Sequence, residues 1–60
     1  MVTNQCRLDL TKDEAELFTK YLKEHALYFE PSENGKLVHF ECIMSDEEMA
    51  AANKWLEENL

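Results

Sequence analysis

Residues 2–10 alternate. Val2, Cys6, Leu8 and Leu10 fall on one side of an extended chain, and Thr3, Gln5, Arg7 and Asp9 on the other. A period of two marks a strand with one buried face. Asn4 interrupts the apolar side, so pairing is expected to begin near Gln5. The period then changes. Thr11-Lys12-Asp13-Glu14 has the spacing of a capping box, in which the Thr hydroxyl accepts from the Glu14 amide and the Glu14 carboxylate reaches back to the cap amide. A helix is expected from there to about Ala26. At about 100° per residue, Ala15, Phe18, Leu22, His25 and Ala26 cluster on one side, with Leu17 and Tyr21 flanking. Lys12, Glu16, Lys20, Lys23 and Glu24 take the opposite arc, as on an ordinary solvated helix.

The only proline and the only glycine fall in Pro31-Ser32-Glu33-Asn34-Gly35. Asn-Gly between two apolar stretches is a strong hairpin signal. The flanking strands are expected at Leu27–Glu30 and Lys36–Met44. A two-residue Asn34-Gly35 turn sets Glu33 opposite Lys36, Phe29 opposite Phe40 and Leu27 opposite Cys42. Glu30 then faces His39, a cross-strand pair of opposite charge when the imidazole is protonated. Leu27, Phe29, Val38, Phe40 and Cys42 share one face. Tyr28, Glu30, Leu37, His39, Glu41 and Ile43 share the other. Pro31 strains this register, because it cannot donate a ladder hydrogen bond. A four-residue loop, Ser32 to Gly35, relieves the strain and keeps the same faces.

Ser45-Asp46-Glu47-Glu48 is a second capping box, and the helix behind it should reach about Asn59. Met49, Ala52, Leu56 and Leu60 line one face of it, with Ala51 and Trp55 alongside. The order strand–helix–strand–strand–helix, with one apolar sheet face to be covered, predicts a single α+β domain over residues 1–60 in two layers. The long apolar strand 36–44 belongs in the centre and the proline-bearing strand at an edge. A right-handed crossover then gives a three-stranded antiparallel sheet in the order 1-3-2, with both helices on one face. The topology resembles a ferredoxin-like half-fold without its last strand. Strand 1 is left as an open edge, which predicts pairing of two copies there.

Charge narrows the functions. Thirteen acids oppose six bases, for a formal net charge of −7 and a pI near 4.6. Residues 1–30 carry six acids and four bases, and residues 31–60 carry seven and two. A chain of this sign is repelled by nucleic acids and anionic membranes, and a basic protein partner suits it. No apolar run has the length of a membrane span, and the N-terminus lacks the pattern of a secretory signal. Two cysteines 36 positions apart read as reduced thiols in a cytoplasmic protein rather than as a disulfide framework.

Little in the sequence supports chemistry. No C-x-x-C and no pair of histidines at i, i+4 is present, so no metal site is expected. His39 and Cys42 point to opposite faces of one strand, and no glycine-rich phosphate loop exists. No catalytic residue and no cofactor is predicted, and the chain is expected not to be an enzyme.

The helix-free sheet face offers more. It combines Arg7, Tyr28, Leu37, His39, Glu41 and Ile43, an apolar patch rimmed by charge and containing residue types favoured at interfaces. This predicts a small acidic protein-interaction module, a regulator or inhibitor of another protein, of a size and charge that suit a phage- or bacterium-encoded factor. A second reading places the contact on the anionic second helix, at Asp46, Glu47, Glu57 and Glu58, as a mimic of nucleic-acid phosphates. In charge and size it resembles the small acidic phage inhibitors of restriction and CRISPR nucleases. A third reading is a structural subunit that self-assembles through strand 1.

Overall fold

In a computed structural model, which describes residues 3–60, the strand and helix pattern appears in the expected order. Strand β1 spans Thr3–Thr11, helix α1 Lys12–Glu24, strand β2 Tyr28–Asn34, strand β3 Leu37–Ser45 and helix α2 Asp46–Asn59. The sheet is antiparallel in the order β1-β3-β2. The fold is therefore α+β, with the open order 1-3-2 that the pattern predicts. Val2, the first residue of the alternating run, lies outside the described residues.

Both capping boxes form, and each also ends a strand. The Glu14 amide donates to Thr11 Oγ1 at 3.3 Å while the Thr11 amide donates to Glu14 Oε1 at 3.1 Å. Ser45 and Glu48 repeat the exchange at 3.2 and 2.8 Å. Thr11 and Ser45 are at once the last residue of a strand and the cap of a helix, so no loop separates the two. The reciprocal bonds satisfy amides that the first helical turn cannot pair internally.

Helix α1 stops two residues short of the expected Ala26. Its C-terminus is a Schellman motif. The Ala26 amide donates to the Lys23 carbonyl at 3.2 Å and the Leu27 amide to the Leu22 carbonyl at 2.9 Å. The motif needs a left-handed residue, and Ala26 supplies it with φ of 54°. Leu27, expected in a strand, is instead the residue after this turn, and it packs against the core. His25 and Ala26, expected on the apolar face, are exposed, because the chain has already left the helix there. Leu17 is exposed as well.

The hairpin register is two residues from the one that an Asn34-Gly35 turn predicts. Asn34 pairs with Leu37, so Gly35 and Lys36 form the turn. Gly35 has φ of 66° and Lys36 has no positive φ, which is the sign pattern of a II′ turn rather than I′. Phe29 consequently faces Cys42 rather than Phe40, and Pro31 faces Phe40. The proline explains the choice. A two-residue loop is closed by a hydrogen-bonded pair, and hydrogen-bonded and non-hydrogen-bonded pairs alternate from there. With Asn34–Leu37 closing the loop, Pro31–Phe40 is a non-hydrogen-bonded pair, and the missing N–H faces away from β3. With Asn34-Gly35 as the turn, Pro31 would occupy a hydrogen-bonded position that it cannot fill. A shift of two residues keeps the faces, so the division of side chains stands as expected. It also lengthens β2 from the expected Leu27–Glu30 to Tyr28–Asn34.

The helix-side face holds the core. Phe18, Leu22, Phe40, Cys42 and Met44 are almost wholly buried, with Leu10, Ala15, Tyr21 and Ala52 around them. Phe18 is the hub. Its ring meets Phe40 edge-on at a centroid distance of 5.2 Å and Trp55 at 5.7 Å. Tyr21 sits 4.9 Å from Trp55, which ties α1 to α2. Aromatic pairs in this range add to the large apolar area that the rings bury. Leu60, expected on the core stripe of α2, is about half exposed at the helix end.

Candidate functional site

The face away from the helices is built in four rows, each crossing the three strands. Gln5, Ile43 and Tyr28 form the first, and Arg7, Glu41 and Glu30 the second. Asp9, His39 and Ser32 form the third, and Thr11, Leu37 and Asn34 the fourth. Alternation along each strand puts these residues on one side, and the absence of a covering helix keeps them in reach of solvent.

The first row is the apolar one. Tyr28 and Ile43 are direct cross-strand neighbours, 55% and 46% exposed. Leu37, grouped with them by the sequence, is also exposed, but it lies six residues along β3 from Ile43, about 20 Å away. His39 and Glu41 intervene. The apolar patch is thus the Tyr28–Ile43 pair, with Leu37 at the far end of the sheet.

The middle rows form a chain of polar contacts. Arg7 Nε lies 3.4 Å from Glu41 Oε1, and His39 Nε2 lies 3.7 Å from the same oxygen. His39 Nδ1 is 2.8 Å from Asp9 Oδ1. The expected Glu30–His39 pair is absent, because the two-residue shift of β2 sets Glu30 opposite Glu41 and Ser32 opposite His39. Two carboxylates now face each other across β2 and β3, an unfavourable pairing. Neighbouring groups relieve it: Arg7 approaches Glu41, and the Tyr28 hydroxyl donates to Glu30 Oε1 at 2.7 Å. That hydrogen bond, reinforced by partial loss of water and by the charges of Glu30 and Glu41, raises the Tyr28 phenol above its ordinary pKa.

Asp9, which turns the imidazole, was not among the candidates from sequence, although a signal for it was present. Arg7-x-Asp9 on one strand and His39-x-Glu41 on the other match as two opposite-charge pairs in only one antiparallel register, the observed one. Asp9, His39 and Ser32 even lie in the order of an orienting acid, a base and a nucleophile. The geometry stops short of that chemistry, since His39 Nε2 faces the Glu41 carboxylate rather than a hydroxyl, and the row lies on an open face. The two ring nitrogens point at different carboxylates, so Asp9, His39 and Glu41 do not converge on one point. Among the described residues no group of three or more His, Cys, Asp or Glu side chains is placed to hold a metal.

The acidic residues of α2 occupy its two ends. Asp46 and Glu47 lie in the first turn, where Asn4 Nδ2 donates to Asp46 Oδ1 at 2.6 Å. Glu57 and Glu58 lie about 16 Å further along, in a last turn that carries no base, and Lys54 stands between the two ends. The first pair suits the helix dipole and the second opposes it. Cys6 and Cys42 are free thiols facing each other on the helix side. Among the described residues no helix is long and apolar enough to cross a membrane.

No protein-family model, curated protein or solved structure matches this chain.

Proposed function

We propose that this chain is a small, non-catalytic protein-interaction module that regulates or inhibits a protein partner in the cytoplasm of a bacterium, encoded by the cell or by a phage. The contact surface is the helix-free sheet face, centred on Tyr28 and Ile43 and extended by Arg7, His39, Glu41 and, at its far end, Leu37. One observation carries this reading. Two large apolar side chains stand side by side, about half exposed, on a sheet face that the chain's own helices leave uncovered. Beside them are two rows of polar and charged groups already held in place by hydrogen bonds and ion pairs. An apolar anchor next to pre-ordered polar groups is the arrangement that loses least side-chain freedom on binding. The face carries Asp9, Glu30 and Glu41 against Arg7 alone, so the partner is a protein with an apolar knob inside a basic rim.

The test uses the chain as bait in lysate of its source cells, alongside Tyr28→Ala, Ile43→Asp and the double variant Glu57→Lys/Glu58→Lys. The expected result is a specific protein lost from the first two variants and retained by the third, with circular dichroism unchanged in all. Capture that ignores Tyr28 and Ile43 defeats the reading. Capture lost only with the α2 variant, and at high salt, would make the acidic helix the contact instead.

A further inference from the structure

We infer that β1 is a self-complementary edge, through which two copies pair in one specific antiparallel register to form a six-stranded sheet. The joint uses the rim of the sheet, shares only Arg7 with the proposed contact surface and leaves Tyr28 and Ile43 uncovered, so it is tested separately from the partner-binding reading.

The sheet has two outer strands, and they differ. β2 carries Pro31 together with Glu30 and Glu33, features that discourage further pairing. β1 is nine residues long and has neither proline nor glycine. The loop-closing pair Asn34–Leu37 sets which amides of β3 point to β2, and hence which point to β1. Val38, Phe40, Cys42 and Met44 bond to Leu10, Leu8, Cys6 and Asn4. The N–H and C=O groups of Thr3, Gln5, Arg7 and Asp9 therefore face outward, while the Thr11 amide is already held by Glu14 in the capping box. Their side chains share the helix-free face.

A two-fold partner must match these outward residues with each other, which leaves few registers. A two-fold axis at Arg7 puts two guanidinium groups opposite each other, and one at Asp9 does the same with two carboxylates. An axis at Cys6 leaves both charges facing neutral residues, Gln5 and Thr3. An axis at Leu8 sets Arg7 opposite Asp9 of the second copy, twice by symmetry, and Gln5 opposite Thr11. Of these registers, only the last pairs unlike charges. It overlaps all seven residues from Gln5 to Thr11. On the helix side it sets Leu8 against Leu8 and Cys6 against Leu10, which carries the apolar layer across the joint. Cys6 and Leu8 are only partly buried in the single chain, so they have surface left to cover.

The first measurement is sedimentation equilibrium of the wild-type chain, with a mass twice 7.1 kDa expected as concentration rises. Arg7→Glu and Asp9→Lys each convert both ion pairs to like-charge pairs and should raise the dimer dissociation constant about tenfold or more. Mixed in equal amounts, the two variants restore unlike charges at every position, so a heterodimer should form where neither variant pairs alone. Amide exchange on the wild-type chain checks the register without mutation: protection that grows with concentration is expected at Gln5, Arg7 and Asp9. A chain that remains monomeric to about 1 mM overturns the inference. So does a dimer whose added protection falls on other residues, or one that Arg7→Glu leaves unchanged.

Discussion

Cys42 lies directly opposite Cys6 across β1 and β3, with its side chain wholly buried under the helices. Burial, reinforced by the charge that Cys6 would carry nearby, pushes the Cys42 thiol up to about 11 from an ordinary 9.0. Between these values the folded chain holds a proton that the unfolded chain has released. The stability associated with it is complete below about pH 9 and is lost as pH rises toward 11. The displacement corresponds to about 2–3 kcal/mol. Urea midpoints measured from pH 8 to pH 11 should fall along this range in the wild type and fall less in Cys42→Ala. Equal slopes in the two proteins would contradict the assignment.

Ala26 holds a left-handed conformation in the turn after α1, a place where a β-carbon is unfavourable. Ala26→Gly should therefore stabilise the domain, by about 0.5–1 kcal/mol. Ala51→Gly, on the exposed side of α2, should destabilise it by a similar amount. Thermal unfolding of the two variants should move in opposite directions. A fall in both would mean that Ala26 is not left-handed in solution.

Gly35 has φ of 66°, and a β-carbon added there would meet nothing within 4 Å. The cost of Gly35→Ala is thus one of backbone conformation alone, about 1 kcal/mol. The same turn position sets the register that spares Pro31 from the ladder. The urea midpoint should fall with an unchanged slope. A neutral substitution would show that the turn does not require glycine at this place.

Phe18 touches both Phe40 and Trp55 and is 1% exposed. Phe18→Ala should cost about 3–5 kcal/mol. A chain of this length has a total stability of roughly 3–9 kcal/mol, so the variant should lose most or all of its cooperative transition. A variant that melts within a few degrees of the wild type would remove Phe18 from the centre of the core.

The sequence was most legible where one residue pattern had one physical meaning. Thr11/Glu14 and Ser45/Glu48 located both helix starts, and both boxes form. The alternation in β1 and β3 assigned each side chain to its face, because faces survive a two-residue slip. Register did not come through for β2: Asn34-Gly35 favours a I′ turn locally, whereas Pro31, three residues upstream, excludes the pairing which that turn imposes. The end of α1 was hidden because its left-handed position holds alanine, where glycine would have announced it. The site was legible as a face and not as a set of contacts. Tyr28 and Ile43 meet, Leu37 stands apart, and Asp9 takes the place at His39 that Glu30 was expected to fill.

The central claim, that the open sheet face binds a protein, is tested most directly by amide chemical shifts of the isotope-labelled chain titrated with the captured partner. The largest changes should fall at Tyr28, Glu30, Glu41 and Ile43, spreading to Arg7 and His39, with α2 nearly unmoved. Changes concentrated between Asp46 and Asn59, with Tyr28 and Ile43 silent, would contradict it.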